Sequence, residues 1–284
     1  MILVGDCIAS MRTLPEKSAQ TCITSPPYFG LRDYGHDAQI GVEPTPDEFV
    51  GKLVEVFREV RRVLTDDGTL WLNIGDSYAS AGFNNQKNTG YKNKDLIGIP
   101  WMLAFALRAD GWYLRQDIIW NKPNPMPESV RDRCTKAHEY IFLLSKAERY
   151  YFDANAMSEP AAQPDRVRAD RFGGKKYVEG VKHSDGSTFT GSATRNKRSV
   201  WTVTTKPFKG AHFATFPPDL IEPCILAGSR PGDVVLDPFG GAGTTGLVSQ
   251  RHRRKFVLCE LNPNYAQMAE NRIAAERDLL AEAI

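Results

Sequence analysis

Asp233-Val234-Val235-Leu236-Asp237-Pro238-Phe239-Gly240-Gly241-Ala242-Gly243-Thr244-Thr245-Gly246 is the stretch whose reading decides the fold. A short apolar run flows into an acid, a proline and a glycine cluster that opens a helix, the order of a buried parallel strand followed by a ligand loop. Lys255-Phe256-Val257-Leu258-Cys259 is a second strand, ending on Glu260 and Leu261. Strand, helix and strand in this order predict an α/β fold with a mostly parallel sheet. Gly241, Gly243 and Gly246 match G-x-G-x-x-G literally, with Glu260 where a ribose-binding acid stands. Asp237-Pro238-Phe239, however, places an acid and an apolar wedge where a pyrophosphate must approach. An acid suits an ammonium group instead. Fewer than forty residues follow Gly246, so the other strands of a dinucleotide-type sheet must come from the N-terminal part of the chain.

That part contains a second unusual stretch, Thr24-Ser25-Pro26-Pro27-Tyr28-Phe29. Ser18 to Ile23 reads as a strand, and two prolines then remove two backbone donors and fix φ twice, so the chain leaves the sheet as a stiff loop. Ser25 and the carbonyls of Ser25 and Pro26 are acceptors held in place, and Tyr28 offers a flat face beside them. The set suits an amino group on a planar ring. Its lone pair is delocalised, and acceptors on both protons favour the pyramidal form that can attack an electrophile held in line. A plain Pro-Pro turn is the alternative.

Several further segments read as framework. Ile2-Leu3-Val4 is a buried strand, and Ser10 to Leu14 a short helix. Asp6, between them, is either a helix cap or a partner for a bound ring. Thr45-Pro46-Asp47-Glu48 opens an amphipathic helix with a capping box. Asp67-Gly68 turns into a strand over Thr69 to Ile74, Pro100 to Ala109 is a helix, and Gln116 to Trp120 and His138 to Leu144 are strands. From Ser158 to Val200 the periodicity disappears and basic residues dominate: Arg166, Arg168, Arg171, Lys175, Lys176, Arg195, Lys197 and Arg198, interleaved with Phe172, Tyr177 and Phe189 and followed by Trp201. Such a mixture suits phosphate neutralisation plus contacts to bases, against the alternative of a solvated insertion.

The chain of 284 residues is 42% hydrophobic and 25% charged, with net charge +2. A balance so near neutral makes any nucleic-acid surface local. Met1 to Val4 is too short an apolar run for a signal peptide, and no stretch reaches the length of a membrane span, so the expectation is a cytoplasmic protein without membrane contact. Cys7, Cys22, Cys134, Cys224 and Cys259 show no C-x-x-C pair, which disfavours a disulfide framework or a zinc site. Cys224 follows a proline, the dipeptide of cytosine carbon-5 methylation, but apolar neighbours at helical spacing make it a core residue.

With both motifs quoted, the chain resembles the amino-group DNA methyltransferases that use S-adenosyl-L-methionine, in the class whose catalytic motif precedes its cofactor motif. Ser25-Pro26-Pro27-Tyr28 resembles the catalytic tetrad and Asp237 to Thr245 the cofactor loop, while His212 to Ile221 corresponds to the helix segment before that loop. The resemblance implies a Rossmann-like methyltransferase fold with a seven-stranded sheet and permuted motif order. It makes 1–157 the catalytic part, 158–200 an inserted target-recognition region and 201–284 the cofactor-binding part. Ser25, Pro26, Pro27 and Tyr28 would be catalytic. Asp6, Cys7, Thr24, Asp237, Pro238, Phe239, Gly240, Gly241, Gly243, Thr244, Thr245, Glu260 and Leu261 would hold the cofactor, Glu260 at its ribose and Asp6 at its adenine, with no metal. The partner implied is DNA, with a cognate restriction endonuclease and the choice between monomer and homodimer left open. Ser25 at the head of the tetrad is typical of N4-cytosine members, whereas adenine N6 enzymes more often carry Asp or Asn. The expected activity is therefore N4-cytosine methylation of a base flipped out of DNA. The alternatives are N6-adenine methylation and a DNA-binding protein without catalysis.

Overall fold

The strands that end at Val4, Ile74 and Asp237 are each followed directly by a glycine or a proline, and the sheet brings those ends to one edge. The computed structural model describes residues 1–30, 39–79, 90–161, 193–205 and 216–282. The chain divides into two units, Met1–Phe152 with Ser199–Ile284, and Asp153–Arg198.

The first unit begins with β1 (Ile2–Val4), α1 (Cys7–Arg12) and β2 (Ala19–Thr24). The expected helix over Ser10 to Leu14 begins earlier, because Asp6 caps it by accepting the Ala9 N–H at 2.8 Å. α2 (Pro46–Val63) follows, its Thr45 hydroxyl accepting the Glu48 N–H at 3.2 Å. Phe49, Leu53, Val56, Phe57 and Val60 on its inner face are fully buried, each contributing about 1.5–3 kcal/mol relative to exposure. β3 (Leu64–Ile74) continues directly from α2. Asp67-Gly68, expected as a turn, lies inside β3, where the pairing with β2 shifts register between Ala19 and Thr21. The bulge absorbs the turn signal and leaves the strand intact. α3 (Ile99–Ala109), β4 (Tyr113–Asn121) and β5 (His138–Ser145) complete this half.

In the second unit, β6 (Ser158–Pro160) and β7 (Thr194–Asn196) pair antiparallel. The chain re-enters the first unit at β8 (Val200–Thr202), then forms α4 (Pro218–Gly228), β9 (Val234–Asp237), α5 (Thr244–Arg251), β10 (Lys255–Glu260) and α6 (Pro263–Glu282).

The main sheet has the order β1-β10-β9-β2-β3-β5-β4-β8. It holds eight strands against the seven expected, the extra one being β8, which pairs parallel with β4. Trp201, expected to contact bases, is buried in β8; its pairing with Trp120 makes it a core residue. Helices α1, α2 and α3 pack together over Cys22, Leu70, Leu72 and Cys259. Helices α4, α5 and α6 pack together as a second layer, with Gly228 against Thr21 and Trp71 and Gly246 against Leu258 and Ile273. Alternation along the strands assigns these two sets to opposite faces of the sheet.

The C-terminal strands β9 and β10 insert between β1 and β2, all in parallel. Asp6, Glu260, Asp237, Ser25 and Gly75 therefore leave the sheet along one edge, where open α/β sheets bind ligands. β5 runs antiparallel to β3 and β4, so its first residues, His138 and Glu139, reach the same edge.

Candidate active site

Asp237 joins the two motifs. It is 1% exposed. Its Oδ1 accepts the Thr24 hydroxyl at 2.6 Å and the Phe239 N–H at 3.0 Å, and its Oδ2 accepts the Thr245 hydroxyl at 2.7 Å. Burial pushes the carboxyl up to about 6, above the pull of these three donors in the other direction. One carboxyl thus ties the end of β2 to the first turn of α5 and to the bend after β9. Sequence reasoning placed Asp237 at a bound ammonium; in the structure its oxygens also brace the chain itself.

The glycine loop follows. Gly241 has φ +50 and Gly243, which opens α5, has φ +75, both in the left-handed region where a side chain is strained. A Cβ on Gly243 would lie 2.8 Å from Ala269 Cβ, so this glycine is required for packing against α6. A Cβ on Gly241 would meet only the Phe239 carbonyl, at 3.9 Å, so its surroundings are open. The Gly241 N–H, which in a phosphate loop would face a ligand oxygen, donates instead to Glu260 Oε2 at 2.7 Å. Glu260 Oε1 accepts the Asn262 N–H at 2.9 Å, and burial raises this carboxyl above the usual range. Gly5 N–H donates to the Glu260 carbonyl at 2.9 Å, which sets Asp6 beside it.

An acid-lined, open glycine loop repels a pyrophosphate. It fits a ligand with a diol and positive charge. Pro238, Thr244 and Thr245 are buried beneath the loop, and Phe239, Gly241 and Leu261 are half-buried at its rim. Gly240 lies close against β10, where a Cβ would lie 2.9 Å from Leu258 Cβ. Cys7 is buried, with its thiol pushed up to about 12 by desolvation. It presents bulk to the site, not nucleophilicity.

One residue beyond Thr24, the loop Ser25-Pro26-Pro27-Tyr28 leaves β2. Pro26 is buried, and Ser25, Pro27 and Tyr28 are half-buried. Gly30 N–H donates to the Gly41 carbonyl at 2.8 Å and the Ser77 hydroxyl to the Phe29 carbonyl at 3.2 Å, closing the loop from both sides. The Tyr28 ring lies on Gly75, where a Cβ would come within 2.7 Å of Tyr28 Cε2. Its hydroxyl donates to Glu139 Oε2 at 2.6 Å. Burial, and then the Glu139 charge, raise the Tyr28 hydroxyl well above the usual phenol range. Asn73 Nδ2 also donates to Glu139 Oε2, at 3.1 Å, and Lys122 pairs with Oε1. Sequence reasoning missed Glu139, Asn73 and Lys122. The available signal was a charged residue at the head of the otherwise apolar strand Tyr140 to Leu144.

In the second unit, Arg195 Nε and Arg198 Nε each donate to Glu159 Oε1 at 2.9 Å. Arg166, Arg168, Arg171, Lys175 and Lys176 lie outside the described residues, as do Phe172, Tyr177, Phe189 and His212 to Thr215 of the helix segment. Cys224 is 1% exposed on α4, its thiol directed at the Leu220 carbonyl at 3.8 Å, as a core residue. Among the described residues no helix is long and apolar enough to cross a membrane.

Fold and loop define the class, a methyltransferase that uses S-adenosylmethionine. Within it, the chain belongs to the N6/N4 DNA methylase family, whose model matches residues 19–271, and is a DNA methyltransferase. The type II methyltransferase M.Cfr9I of Citrobacter freundii is 50% identical over 96% of this chain and 87% of its own. Among solved structures, the cytosine-N4-specific PvuII DNA methyltransferase matches with a TM-score of 0.67 at 20% identity, over 98% of this chain and 90% of that one. A putative DNA modification methylase from Thermus thermophilus, solved with S-adenosyl-L-methionine, matches with a TM-score of 0.63 at 26% identity, over 97% and 93%.

Proposed function

We propose that this enzyme methylates the exocyclic N4 of cytosine in a base turned out of duplex DNA. One observation carries the reading: Ser25, an uncharged acceptor, stands one residue from Thr24, whose hydroxyl is held by the carboxyl that heads the cofactor loop. Base acceptor and cofactor loop are thereby fixed on one rigid element, as in-line transfer requires. Glu260 and Asp6 would hold the cofactor's ribose and adenine, with Cys7, Thr24, Leu261 and the loop from Asp237 to Thr245 around them. When bound, S-adenosylmethionine supplies a methyl group already activated by its positive sulfur.

The residues of this chain do the rest. Ser25 and the Pro26 carbonyl accept hydrogen bonds from the two amine N–H groups and localise the nitrogen lone pair. Tyr28 stacks on the extruded base. A hydroxyl stabilises developing positive charge less than a carboxylate would, so the backbone carbonyls share that role. Basic residues of the 158–200 region, Arg195, Lys197 and Arg198 among them, bind DNA phosphates. In keeping with its type II relative, the enzyme works in the cytoplasm beside a restriction endonuclease of the same site.

The test is single-turnover transfer from methyl-labelled cofactor to duplex DNA. Ser25→Ala should slow transfer with cofactor affinity retained. Tyr28→Ala should be worse, since a lost stacking face costs on the order of 1–3 kcal/mol. Parental rates in both variants would remove the catalytic role from this loop.

A further inference from the structure

Resting on the reading that Tyr28 stacks on the extruded base, we propose that Glu139 is a positioning residue, whose carboxylate tethers the Tyr28 hydroxyl and sets the plane of the stacking face before DNA arrives. A stacking face contributes in full only when its plane is already set, because ordering a side chain at the moment of binding subtracts from affinity. Pro26 and Pro27 stiffen the backbone ahead of Tyr28, but they leave the ring its own side-chain torsions. Something must hold the far end.

Glu139 holds it. The Tyr28 hydroxyl donates to Glu139 Oε2 at 2.6 Å, the length expected for a bond to a charged oxygen, which is about twice as strong as one between neutral groups. The acceptor is fixed by its neighbours on both sides in the sheet. Asn73, in β3, donates to the same oxygen at 3.1 Å, and Lys122, directly after β4, pairs with Oε1. These partners are anchored in turn. Asn73 also donates to the Tyr140 carbonyl at 3.1 Å. Lys122 Nζ lies 4.3 Å from the centre of the Trp120 ring, whose indole N–H donates to the Val203 carbonyl at 2.8 Å. Gly75 makes room for ring and carboxyl together: a Cβ there would lie 2.7 Å from Tyr28 Cε2 and 3.4 Å from the Glu139 carboxyl carbon. A half-buried carboxylate is costly unless donors surround it. Of the donors that satisfy this one, Tyr28 is the group that meets the base. The tether grips the ring at its rim and leaves the stacking itself to the face.

Substitutions separate tether from stack. Tyr28→Phe keeps the ring and loses the hydroxyl, Glu139→Ala keeps the hydroxyl and loses its acceptor, and Tyr28→Ala removes the ring. The probe is a duplex that the wild type methylates, with 2-aminopurine in place of the methylated base, bound in the presence of S-adenosylhomocysteine. Stacking on an aromatic ring quenches 2-aminopurine fluorescence, so the intensity reports the stack, and a residue that only supported the sheet would not move it. Single-turnover transfer to the unmodified duplex and calorimetric cofactor affinity are measured alongside.

Tyr28→Phe should brighten the probe and slow transfer by about tenfold at unchanged cofactor affinity. Glu139→Ala should do the same alone, and should add about twofold at most to Tyr28→Phe, since the two ends of one bond are not additive. Wild-type fluorescence and rate in Tyr28→Phe, with Tyr28→Ala impaired, overturn the tether and leave the stacking reading intact; Tyr28→Phe decides this by itself should the Glu139 variant not fold. An equal loss from Glu139→Ala with and without the phenol hydroxyl also overturns it, because Glu139 would then act through another partner. Wild-type values in Tyr28→Ala would instead fail the stacking reading, and the proposal with it.

Discussion

Replacing Asp237 by Asn should leave the fold at least as stable at neutral pH while weakening the cofactor site. Burial lifts the Asp237 carboxyl from 3.8 to about 6. Between those values the native state keeps the proton that the unfolded chain has released, so native stability falls as pH rises through that window and stays lower above it. At about 1.4 kcal/mol per pH unit, the charged form destabilises the fold by about 3 kcal/mol. The group is 1% exposed, so solvent screening takes little from this figure. An Asn side chain still accepts the Phe239 N–H, and the Thr24 and Thr245 hydroxyls can turn to suit an amide. Urea unfolding from pH 4 to 8 is the assay. Relative to the wild type, the variant should gain stability as pH rises from about 4 to 6, by at most about 3 kcal/mol, and calorimetry should show about tenfold weaker cofactor binding, a loss of about 1.4 kcal/mol. A variant whose stability runs parallel to the wild type across that window would refute the reasoning, because the carboxyl would not then be titrating there.

Other sites give simpler expectations. Gly75→Ala drives a Cβ to within 2.7 Å of the Tyr28 ring, so it should slow methyl transfer strongly at unchanged cofactor affinity, with overpacking of roughly 1–3 kcal/mol read by thermal melting. Glu260→Ala removes the acceptor of the Gly241 and Asn262 N–H groups, and calorimetry should show weaker cofactor binding with DNA affinity retained. Glu159→Gln releases the guanidiniums of Arg195 and Arg198 from a shared carboxylate. DNA affinity should rise, and its dependence on salt should steepen by about one ion for each further phosphate neutralised, measured by fluorescence anisotropy across a salt series. Removing charge at Arg195, Lys197 and Arg198 together should do the reverse.

Much of the fold was legible because its signals are local. The apolar run before Asp237, the glycines after it and the double proline after Thr24 are short patterns with one physical meaning each. Their convergence was legible too, since the sheet needs N-terminal strands to flank β9. Long-range pairing was harder to read. Glu139 lies 111 residues from Tyr28 in sequence, and only the antiparallel course of β5 between β3 and β4 turns its first residues toward the site. Asp67-Gly68 misled because a bulge accommodates the same residues as a turn. Val200 to Thr202 has no periodicity of its own; β4 offers it an open edge, and pairing there buries Trp201 and gives the sheet its eighth strand. Asp6 was readable as a cap or a ring partner, and its bond to Ala9 establishes the first role.

The central claim concerns the atom that receives the methyl group, and mass spectrometry of nucleosides from DNA treated with the enzyme and isotopically labelled S-adenosylmethionine tests it most directly. The account predicts label in N4-methylcytosine and none in N6-methyladenine. Label in N6-methyladenine alone would contradict it, placing an adenine amine at Ser25.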